Sequence, residues 1–202
     1  MKRPLLLIAA LAAVALAAII GFSVRSGGSP QSAAADVGGP FKLVDQDGRP
    51  RDESLLKGKW SAVFFGFTFC PEACPTTLLA LGQAQDLLGP RGKDLQTVFI
   101  SVDPARDTPQ ALRAYLDNPS FPKNSVGLTG SADQVAVAVR AYHVYEQKVG
   151  EGPDYTVDHS TFTYLMNPKG HFACVLPYKL TPEQLAERIG KAMRAGDDAR
   201  NC

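Results

Sequence analysis

Hydrophobic and polar positions change rhythm along the chain, and each change marks a predicted element. An uncharged apolar run covers residues 5–22, and a stretch rich in Gly, Ser and Ala follows over 26–39. From Phe41 on, short apolar runs alternate with stretches of helical period. Residues 41–44 lead into Asp45-Gln46-Asp47-Gly48, a hairpin signal. Residues 60–65 and 96–102 are near-continuous apolar runs of strand length and predict buried strands. Helices are predicted over 76–88, over 108–116 with Thr108 as N-cap and Pro109 at the first helical position, over 131–142 with Val135, Ala138 and Val139 on one face, and over 181–196. Residues 145–149 predict an edge strand. Residues 160–166 and 171–176 predict a hairpin around Asn167-Pro168-Lys169-Gly170. Strands alternating with helices, closed by a hairpin and a last helix, predict an α/β fold over residues 40–196: a thioredoxin-like mixed sheet flanked by helices, with a short tail at 197–202.

The N-terminal run differs in kind. At about 1.5 Å per helical residue it nearly spans a bilayer core of roughly 30 Å. Lys2 and Arg3 precede it, which places the N-terminus in the cytoplasm and the rest of the chain on the opposite side. Residues 1–25 are therefore expected to be an N-terminal transmembrane anchor and 26–39 a flexible tether. Ala33-Ala34-Ala35 offers the rival reading of a cleaved signal peptide, but it lies well past the apolar run. The 21 basic and 20 acidic residues nearly cancel and form no basic stripe, so no nucleic-acid partner is expected.

Four cysteines carry the candidate chemistry: Cys70, Cys74, Cys174 and Cys202. Cys70 and Cys74 lie in Gly66-Phe67-Thr68-Phe69-Cys70-Pro71-Glu72-Ala73-Cys74-Pro75, between a predicted strand and a predicted helix. Positions i and i+4 share one helical face, and a helix N-terminus favours negative charge. Two thiolates placed so suit a reversible disulfide or a soft metal ion. The spacing is one residue longer than the C-x-x-C redox motif. Cys174 sits in a strand-like run and is expected as a small buried hydrophobe; Cys202 is expected in a disordered tail, without a role. Of the three histidines, His143 and His171 read as surface residues. His159 lies in a loop entering a predicted strand, where loops at strand ends gather near helix N-termini. Two thiolates with an imidazole suit copper, Cu(I) through sulfur and Cu(II) through added nitrogen, with zinc as the competing ion. Asp158 is a candidate to orient the histidine, and Asp103, at a strand's C-terminal end, a candidate to lie beside the site. Arg106 and Asp107 are expected to pair locally.

Three segments together resemble the Sco/SenC family: the cysteine run, Val98-Phe99-Ile100-Ser101-Val102-Asp103-Pro104-Ala105-Arg106-Asp107-Thr108-Pro109, and Val157-Asp158-His159-Ser160. The resemblance extends over about residues 40–195, with the motifs in the same order. It implies a membrane-anchored, thioredoxin-like copper protein that helps assemble the binuclear copper site of cytochrome c oxidase, with Cys70, Cys74 and His159 as copper ligands. Many relatives carry histidine where this chain has Phe69, and Asp-Val where it has Glu72-Ala73. The implied partners are the oxidase subunit carrying the binuclear site and, as further candidates, another copper chaperone or a thioredoxin-like reductant. The expected location is the inner (cytoplasmic) membrane as a single-pass protein, with the soluble domain on the periplasmic side. The alternative function is a thiol–disulfide oxidoreductase using Cys70 and Cys74 as a redox-active disulfide. A peroxidase is a weaker reading, because Thr68 stands one residue too close to Cys70 for a Thr-x-x-Cys motif.

Overall fold

Three strands lie side by side and in parallel at the centre of the sheet: β3 (Trp60–Gly66), β4 (Leu95–Ser101) and β5 (Ser125–Thr129). Every residue of β3 and β4 is buried, as expected of strands covered on both faces. The computed structural model describes residues 37–196, 199 and 202. The predicted anchor and nearly all of the predicted tether, residues 1–36, lie outside the described residues, and so does most of the predicted tail. Among the described residues no helix is long and apolar enough to cross a membrane.

Antiparallel strands flank the centre: β1 (Lys42–Asp45) and β2 (Pro50–Asp52) on one side, β8 (Thr163–Met166) and β9 (Phe172–Leu176) on the other. The seven strands run in the order β2-β1-β5-β4-β3-β8-β9. A separate ribbon pairs β6 (Glu146–Val149) with β7 (Thr156–His159), placing Glu146 opposite His159. The mixed sheet with helices on both faces is the thioredoxin-like arrangement expected. β2 is the second arm of the hairpin expected at residues 45–48. Two strands escape the sequence reading. β5 carries a glycine, a weak strand signal. β7 alternates exposed and buried positions within what was expected to be a loop. Residues 146–149, expected on the edge of the sheet, pair only with β7.

Period-two alternation along the central strands divides the core. Val63, Phe65, Val98 and Ile100 point to the face covered by α3 (Ala132–Ala141), through Val135, Ala138 and Val139. Ala62 and Phe64 point the other way. Ala62 meets α1 (Ala73–Leu87) and α4 (Pro182–Ala195) through Leu81, Ala84, Leu185 and Ile189. Phe64 and Phe99 meet Leu78 of α1 and Leu112 of α2 (Pro109–Leu116). The expected cap is made, the Thr108 hydroxyl accepting from the Ala111 amide, and Ser131 and Thr181 form capping boxes with Gln134 and Gln184.

The C-terminus departs from expectation. Cys174 of β9 and Cys202 are joined by a disulfide, their Cα atoms 6.0 Å apart. Cys174 is buried as predicted, but as half of a cross-link. Cys202 packs against the cluster of Trp60, Leu185 and Ile189, so the chain end is tied to the sheet edge.

Candidate metal centre

The cysteine motif is shaped by where α1 begins. The helix starts at Ala73, three residues before the predicted start, so Cys74 lies in its first turn and Cys70 in the preceding loop. Pro75 is the third helical residue, within the turn whose amides lack helical partners. The Glu72 side chain makes no capping bond. Instead the Cys74 backbone N–H donates to Cys70 Sγ at 3.3 Å, so a sulfur satisfies one orphan amide of the helix.

This geometry separates the two thiols. Cys70 is pulled down to about pKa 4, chiefly by the hydrogen bond from the Cys74 thiol, then by His159 and the backbone amides, against the cost of burial. Cys74 is pushed up strongly by that same bond to Cys70 and by its own burial. The pair therefore gives up its first proton far more readily than its second, and the contacts favour the charge at Cys70. Cys74 is completely buried while Cys70 is half-buried, so the thiolate is the reachable sulfur. Gly66, the last residue of β3, makes room: a Cβ there would stand 2.6 Å from Cys74 Sγ and 2.9 Å from the Phe99 ring.

His159 ends β7 and brings its Nε2 to 3.6 Å from Cys74 Sγ. Its Nδ1 lies 2.9 Å from the Ser160 carbonyl, which can only accept, so Nδ1 carries a proton and Nε2 is the atom turned to the sulfurs. The edges of Phe64 and Phe67 fix the ring, at centroid distances of 6.1 and 5.7 Å. The ligand atoms of Cys70, Cys74 and His159 all lie within 4.8 Å of one another. Among the described residues no fourth His, Cys, Asp or Glu joins them. Two soft sulfurs and an imidazole with an open position fit copper; a closed structural zinc site would want one more protein ligand.

The residues expected around the ligands fall out differently. Asp158 points to solvent, and the Ser160 carbonyl takes the orienting role expected of it. Alternation decides this, because Asp158 and His159 face opposite sides of a strand. Asp103 is buried near the site, accepting from the Tyr155 hydroxyl at 2.6 Å and from Arg106 Nε at 2.5 Å. Arg106 thus pairs with Asp103, not with Asp107. Asp107 is fully buried and instead holds the cysteine loop, accepting from the Thr68 amide and hydroxyl and from the Ser101 hydroxyl. Burial raises its pKa, partly offset by those hydrogen bonds. Its part in the loop, and that of Tyr155, went unread in the sequence. The only signal is an acid between an apolar strand and a capped helix.

A model of the SCO1/SenC family matches residues 29–194. The chain belongs to this family. SenC of Rhodobacter capsulatus is 44% identical over 160 residues, 79% of this chain and 72% of that protein. The mitochondrial SCO1 homolog 1 of Arabidopsis thaliana is 40% identical, over 82% of this chain but only 49% of its own length, so the chain spans about half of that relative. The Bradyrhizobium japonicum ScoI structure with copper bound superposes with a TM-score of 0.68 at 40% identity, covering 75% of this chain and 96% of that one. BsSco, a member of the Sco family of cytochrome c oxidase assembly proteins in which a disulfide switch has been identified, is 25% identical with a TM-score of 0.58, covering 75% of this chain and 91% of that one.

Proposed function

We propose that this chain is a copper metallochaperone that holds copper at Cys70, Cys74 and His159 and delivers it to the binuclear copper site of cytochrome c oxidase during assembly. The observation that carries this reading is the convergence of two thiols and an imidazole Nε2 within 4.8 Å, in a family with a copper-bound member. Cu(I) needs little beyond the two sulfurs, while His159 supplies the nitrogen that suits Cu(II). The open position and the exposure of Cys70 suit ligand exchange: an acceptor thiolate enters, and a bond to this chain's sulfur is given up in return. The domain would sit on the periplasmic side of the inner membrane, held by the apolar run at residues 5–22. The Cys174–Cys202 disulfide supports that placement, since such bonds persist outside the reducing cytosol.

A second reading draws on the split thiols. A reachable thiolate at Cys70 beside a protonated, buried Cys74 is the arrangement of an attacking and a resolving cysteine. On this reading the chain keeps the oxidase subunit's cysteines reduced. Replacing His159 with alanine in cells separates the two. Copper delivery predicts loss of oxidase assembly; thiol exchange alone predicts that assembly survives.

A further inference from the structure

His159 stands on a ribbon whose strands pair only with each other, and an isolated two-stranded ribbon is marginal in water. Its position over the thiols must therefore come from side chains. One side chain touches both the residue before Cys70 and the segment that leads into β7. The Arg106 guanidinium carbon lies 3.6 Å from the centroid of the Tyr155 ring, in the connection that leads into β7, and 4.7 Å from that of Phe69, the residue before Cys70. Its Nη1 donates to the Tyr155 carbonyl at 2.9 Å, and its Nε to Asp103 at the end of β4. Asp103 closes the circuit by accepting from the Tyr155 hydroxyl. The Arg106 side chain is only 16% exposed.

We propose that Arg106 is a positioning residue for the metal site: its flat guanidinium, lying against Phe69 of the cysteine loop and Tyr155 of the histidine ribbon, holds His159 within reach of the two thiols. Arginine suits this role because its planar group stacks on rings while its edge donates hydrogen bonds. Phe69, 63% exposed, gains a partner that its exposure alone would not explain. The role separates the two copper states. Without Arg106 the two sulfurs remain on the loop and helix, while the imidazole is left to its contacts with Phe64, Phe67 and the Ser160 carbonyl and is held less firmly. Cu(II), which depends on the nitrogen, loses more than Cu(I).

The inference rests on the copper ligands proposed above, and its test is arranged to fail separately. The reduced full-length chain, R106A and R106K are titrated with Cu(I) against a competing chelator and with Cu(II) by sulfur-to-copper charge-transfer absorption. Hydrogen exchange is followed on the metal-free proteins. R106A is expected to weaken Cu(II) about tenfold to a hundredfold, the usual cost of removing a group that orients a ligand, with Cu(I) far less affected. Amides 156–159 exchange faster while β3 and β4 keep their protection. R106K, with charge but no flat face, follows R106A. If R106A does not fold, Tyr155→Leu tests the same contact from the ribbon side with the same expected pattern. Unchanged Cu(II) binding and exchange in the folded variant would overturn the proposal. So would equal loss of Cu(I) and Cu(II) with protection lost across β3 and β4, or full retention of Cu(II) by R106K. A wild-type chain that binds no copper contradicts the proposed function instead, and the metal-free exchange pattern still decides the role of Arg106.

Discussion

Cys70 and Cys74 stand four residues apart with free thiols, while Cys174 and Cys202 stand 28 apart and are bonded. The first pair lies where a loop enters a helix: one sulfur is half-buried, a backbone amide points at it, and an imidazole is within 4.8 Å. The second pair lies against a wall of Trp60, Leu185 and Ile189, with no third ligand beside it among the described residues. The same element is free and reachable in one place and bonded in the other. The difference comes from what surrounds it: access, a charge-stabilising helix end and a nitrogen, against burial at the sheet edge.

Breaking the first pair gives the largest expected effect. Cys70→Ser or Cys74→Ser should abolish tight copper binding, beyond the tenfold to hundredfold cost typical of changes around a ligand, whereas Cys202→Ser should leave copper stoichiometry unchanged. Competitive Cu(I) titration of the three variants checks both halves. The second pair should show itself in stability instead. Removing Cys174 and Cys202 together should cost about 2–4 kcal/mol in urea unfolding of the metal-free chain, because the cross-link restricts the unfolded state. Gly66→Ala joins the two effects. Its Cβ would collide with Cys74 Sγ, so copper affinity should fall along with about 1–3 kcal/mol of stability, measured on one sample by titration and unfolding.

The split within the first pair gives a pH signature. With its pKa lowered to about 4, Cys70 remains thiolate from pH 8 down to pH 5, and its alkylation rate should stay nearly flat over that range. An ordinary thiol, with a pKa of about 8.5, would slow roughly tenfold per unit below that value. A tenfold-per-unit slope for Cys70, measured by iodoacetamide labelling and mass spectrometry, would contradict the shared-proton arrangement. The smallest effect is expected at Asp158. Its exposed carboxylate makes no hydrogen bond to His159, so Asp158→Ala should change stability by no more than about 0.5 kcal/mol and leave Cu(II) absorption in place.

The three residues of the candidate site were legible in the sequence for different reasons. Cys70 and Cys74 show themselves by a strand–loop–helix setting that period and polarity reveal. His159 is placed by its motif, since the spacing of the chain says nothing about a separation of 85 residues from Cys74. The supporting groups were less visible because their roles depend on direction. Asp158 is next to the ligand in sequence yet faces away from it, as neighbours on a strand do. Asp103 and Asp107 are both buried acids four residues apart, and only the fold shows that one serves the histidine ribbon and the other the cysteine loop. The fold followed the same pattern. β3 and β4, fully buried and mostly apolar, could be read directly, whereas β5 and β7 owe their form to their neighbours. The Cys174–Cys202 bond could not be read at all, since nothing local brings a chain end back to a sheet edge.

The most direct test is a Cu(II) titration of the reduced full-length chain beside His159→Ala. The account predicts one bound copper with sulfur-to-copper charge-transfer bands in the wild type, and bands much weakened in the variant. A reduced wild type that binds no copper, or a variant whose bands match the wild type, would contradict a site made of two thiols and this imidazole.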